Sequence, residues 1–130
     1  MEPSASAKES LEVADRLFKA IERGDVDAIK NIYAPHTKIW HNFDNLAQSV
    51  DENLAVLKWV VANIAEISYS EINRQPTPKG FIQQHVLRGK VKSSGKEIAI
   101  PACIVCTVEN GRITRLDEYL DSAQTAALRG

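Results

Sequence analysis

Glu97-Ile-Ala-Ile-Pro-Ala-Cys-Ile-Val-Cys-Thr-Val-Glu109 and Arg112-Ile-Thr-Arg-Leu-Asp-Glu-Tyr-Leu120 flank Asn110-Gly111, and this stretch decides the fold. Both flanks are rich in β-branched and aromatic residues, as strands are. Asn-Gly tolerates positive φ at both central positions of a type I′ turn, so the two runs form an antiparallel hairpin. Upstream, Ser93-Ser94-Gly95 marks another turn, and Ile67 to Ile72 and Phe81 to Val91 read as further strands. Asn73 to Gly80, with Pro76 and Pro78, reads as a long loop.

The N-terminal half has a different period. Ser6 and Glu9 form a capping box, and Val13, Leu17, Phe18 and Ile21 recur at helical spacing until Gly24 closes the first helix. Asp25 caps a second helix carrying Val26, Ile29, Ile32 and Tyr33, which Pro35 ends; His36 then falls in a loop and Lys38 to Asn42 in a short strand. Ser49 and Glu52 cap a third helix with Leu54, Leu57, Val60, Val61 and Ile64 on its apolar stripe. Helices followed by a hairpin-linked meander predict an α+β layer fold, with three N-terminal helices on one curved antiparallel sheet.

The chain has 130 residues, enough for one domain spanning 1–130 and one sizeable core. Hydrophobic residues make up 44% and charged residues 25%, the balance of a folded chain. A formal net charge of −1 with no basic run argues against nucleic acid as a partner. No apolar stretch approaches the roughly 20 residues of a membrane span, and Met1-Glu-Pro-Ser lacks the marks of a signal peptide, so no membrane association and a cytoplasmic location are expected. Cys103 and Cys106 have the spacing of a redox or zinc pair. On a strand, however, residues three apart point to opposite faces, so both read as reduced structural thiols and no metal is expected. No cofactor motif occurs either.

Polar residues inside the apolar strand runs are the pointer to function, because a buried polar group is costly unless it is paired or needed. Three clusters qualify: Trp40-His41-Asn42, Gln83-Gln84-His85 and Asp117-Glu118-Tyr119. Strand alternation places Gln83 and His85 on one face and sends Asp117 and Glu118 opposite ways. His41 and His85 are candidate acid–base groups, since an imidazole titrates near neutrality, with Glu118 orienting one of them. Trp40, Asn42, Trp59, Gln83 and Tyr119 are candidate ligand contacts.

At Ile32-Tyr33-Ala34, Trp40-His41-Asn42 and Gly111-Arg-Ile-Thr-Arg-Leu-Asp-Glu-Tyr-Leu-Asp121, the chain resembles the nuclear transport factor 2-like superfamily. The resemblance covers nearly the whole chain and is strongest to the SnoaL-like, limonene epoxide hydrolase and ketosteroid isomerase branches. It implies a cone-shaped fold with a pocket between the sheet's concave face and the helices, and dimerisation through the sheet's other face. It places His41 where the isomerases carry their proton-shuttling carboxylate. Gln83 and His85 stand where the hydrolases have an Arg and an Asp, and Glu118 where they have a second Asp. The isomerase Tyr has no match near Leu17 and Phe18.

Two functions follow as alternatives: acid–base isomerisation or hydrolysis of an apolar steroid, terpenoid or polyketide, or a non-catalytic ligand-binding or dimerisation module. A homodimer is expected because both faces of the run from Glu97 to Glu109 are apolar. Ile98, Ile100, Ile104 and Val108 share one face, and Ala99, Cys103 and Val105 the other.

Overall fold

In a computed structural model, which describes residues 5–129, helices cover one face of a six-stranded sheet. Helix α1 (Ala5–Arg23) buries Val13, Ala14, Leu17, Phe18 and Ala20 along one stripe. It already contains Ser6, so the expected Ser6–Glu9 cap does not open it. It ends at Gly24, whose φ of +69° lets the Gly24 and Asp25 amides donate back to the Ile21 and Ala20 carbonyls. The Asp25 side chain then accepts from the Ala28 amide and starts α2 (Val26–Ile32). Helix α3 (Val50–Asn63) opens on the reciprocal Ser49–Glu52 capping box.

The strands are β1 (Tyr33–His41), β2 (Leu46–Gln48), β3 (Ile64–Pro76), β4 (Gly80–Val91), β5 (Glu97–Glu109) and β6 (Arg112–Leu120). Several are longer than the sequence indicates. The second helix stops at Ile32, before Pro35, and both Pro35 and His36 belong to β1. Ile64 opens β3 rather than closing α3, and β3 runs on to Pro76, leaving only residues 77–79 as a connection.

The order is β2-β1-β6-β5-β4-β3, and the pairing of β1 with β6 is parallel, so the sheet is mixed and not purely antiparallel. The hairpin rule governs only consecutive strands, whereas β1 is the first strand in the sequence and β6 the last. A fourth, short helix, α4 (Ser122–Thr125), and a 3-10 turn (Ala126–Arg129) follow β6, in addition to the three helices expected. Ala127 and Leu128 pack on Ile64, Val91, Ile98 and Ile100.

Two interruptions bend β3. Glu66 and Glu71 adopt φ of 57° and 52° where the β3–β4 register shifts, between Ala65 and Ser68 and between Ser70 and Asn73. Each is a bulge, which kinks a strand and increases its twist. The main core lies between α1, α2, α3 and the inner sheet face, around Leu17, Phe18, Ile29, Ile39, Phe81, Ile104 and Ile113. Cys106 belongs to this core, while Cys103 sits on the outer face opposite Gln84 and Tyr119. Among the described residues no helix is long and apolar enough to cross a membrane.

Candidate functional site

Between the inner sheet face, α1, α3 and the segment after β6 lies a cavity of about 380 Å³. That volume is in the range of small-molecule sites. Its wall is mainly apolar: Leu17 and Ile21 from α1, Val56, Leu57 and Val60 from α3, and Ile100, Ile104, Leu116 and Leu120 from the sheet. A few polar side chains interrupt this wall, namely His41, His85, Glu118, Tyr33, Tyr69 and Asn53. Phe43 and Trp59, both exposed over more than two-fifths of their surface, also line it, and Thr125 and Leu128 contribute from the C-terminal segment.

Parallel pairing sets His41 directly beside Glu118. Their side chains meet with His41 Nε2 3.0 Å from Glu118 Oε1. Burial works against the imidazolium of His41, but the hydrogen bond to Glu118 and the negative charges of Glu118 and Asp44 outweigh it, so its pKa is raised. The other ring nitrogen, Nδ1, is buried and has no hydrogen-bond partner among the described residues. A buried polar atom left in that state costs about 1–3 kcal/mol.

His85 has the opposite environment. Burial and the positive charge of Arg74 lower its pKa, against an upward pull from Glu118 that is larger than that of Arg74 but smaller than the effect of burial. Its ring makes T-shaped contacts with Tyr69 and Phe18, with centroids 4.6 and 5.3 Å away. Gln83, fully buried, places Nε2 2.9 Å from His85 Nδ1 and receives a hydrogen bond from Arg74 Nε on its own Oε1 at 2.6 Å.

Of the residues singled out in the sequence, His41, His85, Glu118 and Trp59 line the cavity, while Trp40, Asn42, Gln83 and Tyr119 do not. Trp40 and Tyr119 meet edge-to-face, centroids 5.3 Å apart, at positions in register with Asp117 and Cys103 on the outer face. Strand alternation turns them away from the cavity for the same reason that it turns His41 and Glu118 toward it. Asn42 instead accepts the Leu120 amide on Oδ1 and ties the end of β1 to β6. Asp117, next to Glu118, pairs with Arg115 at 2.8 Å.

Tyr33, Asn53 and Tyr69 also line the cavity and are not among the site candidates of the sequence. Tyr33 donates to Asn53 Oδ1 at 3.2 Å, and Asn53 in turn donates to Gln48. Tyr69 lies between the two bulges of β3, and its hydroxyl makes no hydrogen bond among the described residues. Burial raises the pKa of both phenols, which keeps them as neutral donors. Asn53, a buried polar residue on the stripe that carries Leu54 and Leu57, offered a signal in the sequence; the facing of Tyr69, set by bulges, did not.

The SnoaL-like domain family matches residues 14–116. Solved structures agree on the fold. A candidate polyketide cyclase from Xanthomonas campestris superposes with a TM-score of 0.83 at 16% identity, covering 97% of this chain and 100% of that one. A ketosteroid isomerase-like fold from Catenulispora acidiphila, solved with trimethylamine, gives 0.78 at 13% identity over 90% and 91% of the two chains. An epoxide hydrolase of the limonene epoxide hydrolase-like type from M. tuberculosis gives 0.74 at 14% identity over 94% and 90%. No curated protein sequence matches the chain.

Proposed function

This chain belongs to the SnoaL-like domain family, and we propose that it binds a small, largely apolar molecule of the polyketide, steroid or terpenoid type and acts on it by acid–base catalysis. His41 and Glu118 are the working pair. The observation that carries this reading is the state of His41: one nitrogen is held by a carboxylate at 3.0 Å while the other, on a residue of the cavity wall, has no partner among the described residues. With the proton of the neutral ring on Nε2, facing Glu118, the Nδ1 lone pair is the base.

The chemistry that suits this pair is proton removal from a carbon beside a carbonyl. His41 Nδ1 takes the proton, the C–H electrons move into the carbonyl to form an enolate, and Glu118 stabilises the imidazolium. Returning the proton to a different carbon isomerises the substrate. Attack of the enolate carbon on a second carbonyl closes a ring, after which the new alkoxide takes the proton. The polyketide class comes from the names of the structural neighbours, and the apolar wall is consistent with it.

A second reading, ligand binding without turnover, is favoured by the closure of His41 Nδ1 to solvent. In that arrangement a bound molecule does not touch the base unless a neighbour such as Phe43, ring centroid 5.2 Å away, moves aside.

The test is a panel of aromatic polyketides, steroids and terpenes screened by thermal shift, with turnover assayed on whatever binds. A true ligand at a hundred times its Kd stabilises the fold by about 2.7 kcal/mol. Replacing His41 with Ala should then lower turnover by roughly 10²–10⁴-fold with binding retained. Binding with no turnover in the natural chain would favour the second reading, and a panel without any binder would reject both. We further propose that two copies associate through the outer sheet face, where Trp40, Tyr119, Val86 and Val105 lie.

A further inference from the structure

Three side chains in a row decide which proton His85 carries. A guanidinium has only donors, so the atom of Gln83 lying 2.6 Å from Arg74 Nε has to be the amide oxygen. Turning that amide over would set two N–H groups against each other. With the oxygen committed to Arg74, the amide nitrogen of Gln83 faces His85 Nδ1 at 2.9 Å, and an amide nitrogen only donates. Nδ1 must therefore accept, which leaves the single proton of a neutral imidazole on Nε2. An imidazolium would place N–H against N–H. Arg74 is itself held in place, 3.7 Å from Asp15 and with its guanidinium 5.7 Å above the Phe18 ring.

We infer that Arg74 and Gln83 are positioning residues that lock His85 as the neutral Nε2–H tautomer, making it a hydrogen-bond donor to an oxygen acceptor on the ligand and not a second base. The inference rests on the cavity being a ligand site, as proposed above, and deepens it by naming the chemical group recognised. Nε2 makes no hydrogen bond among the described residues, on a side chain that lines the cavity. The charged and titratable groups that bear on the ring are consistent with a neutral donor. Burial and Arg74 disfavour its protonation, Glu118 acts against them from β6, and Tyr69 meets the ring in a T-shaped aromatic contact. On the β5 side the neighbour is Ala102, whose short side chain leaves room above the sheet between His85 and Leu120. The two histidines thus divide the work. His41, backed by a carboxylate, exchanges a proton, while His85, backed by an amide and a guanidinium, holds a carbonyl oxygen that gains negative charge.

Nitrogen-15 NMR of the full chain tests the lock directly. At neutral pH His85 should show a pyridine-type Nδ1 and a pyrrole-type Nε2. In Gln83→Glu, whose carboxylate accepts a hydrogen bond from a protonated Nδ1, that assignment should invert. Should this variant not fold, Arg74→Met provides a second route, since it frees the Gln83 amide to turn and should give a mixture of tautomers. A protonated Nδ1 in the natural chain, or a tautomer indifferent to both substitutions, would overturn the inference.

Binding of 2-acetylnaphthalene against its isostere 2-isopropenylnaphthalene tests the acceptor. The ketone should bind roughly three- to tenfold more tightly, the range of one hydrogen bond, and Gln83→Glu should abolish that preference. Equal affinity for the two in the natural chain would overturn the assignment of the donor. Failure of both to bind would count against the cavity as a ligand site and would leave the tautomer to be judged by its spectrum.

Discussion

His41 and Glu118 are facing partners on parallel strands, so the register of β1 against β6 alone brings Nε2 within 3.0 Å of Oε1. The two strands are joined in space by non-local pairing, and the site exists only once the last strand of the meander has closed beside the first.

A first prediction concerns the charge on His41. Glu118→Gln removes the partner that raises its pKa while burial, which opposes the charge, remains, so the His41 titration should move to lower pH. A group whose folded pKa is raised adds stability below its unfolded value of about 6.5, and that stability is lost as pH rises through the folded value. The stability gap between the natural chain and Glu118→Gln should therefore be widest near pH ~5.5 and narrow by pH ~8.5. Superimposable NMR titrations of His41 in the two proteins would exclude this coupling.

His85 should behave in the reverse sense. Its folded pKa is lowered, so the unfolded chain takes up the proton first, and stability present above about pH 6.5 falls as pH drops through the folded value. In one titration His85 should lose its proton at lower pH than His41. Arg74→Met, which deletes a positive charge acting on the ring, should raise the His85 value. A His85 midpoint above that of His41 would contradict the environments described.

Gly80 should not tolerate a side chain. A Cβ at this position would lie 2.1 Å from the Cys106 carbonyl oxygen and 3.0 Å from the Val108 amide nitrogen. Both are backbone atoms of the paired strand and cannot swing aside, so Gly80→Ala should lose at least about 1–3 kcal/mol in urea unfolding. A loss below about 0.5 kcal/mol would show that β4 and β5 can separate there at little cost.

The proposed self-association makes a fourth prediction. Tyr119 is 47% exposed and Ile82 37% exposed on the outer face, beside the half-buried Val86 and Val105. Sedimentation at micromolar concentration should show a dimer, and Val86→Arg should shift it to monomer without changing the unfolding midpoint of the monomer. A natural chain that sediments only as a monomer would remove the proposal.

The sequence revealed most where the rules are local. Alternation along β4 put Gln83 and His85 on one face, the Ser49–Glu52 box started α3, and alternation along β6 separated Asp117 from Glu118. Trp40 and Tyr119, candidate ligand contacts in the sequence, obey that same alternation and fall outside the cavity. What stayed hidden is non-local or irregular. Nothing in residues 33–41 announces a parallel partner in residues 112–120, and nothing in Ile64–Pro76 announces two extra residues. Arg74 carries no signal in the sequence because its stretch reads as a loop, and a loop residue has no assigned face.

The bulges at Glu66 and Glu71 also act on how this strand can be compared with others. Each absorbs one residue without disturbing the ladder beyond it, so Tyr69 and Arg74, an odd number of residues apart, both point inward, the latter opposite Gln83. A relative lacking either bulge would be one residue shorter here and still place its side chains on the same faces. Counting positions along β3 would then match Tyr69 or Arg74 with an outward-facing neighbour. Correspondence in this strand has to be read from the partner residue on β4, with a gap allowed at both left-handed positions.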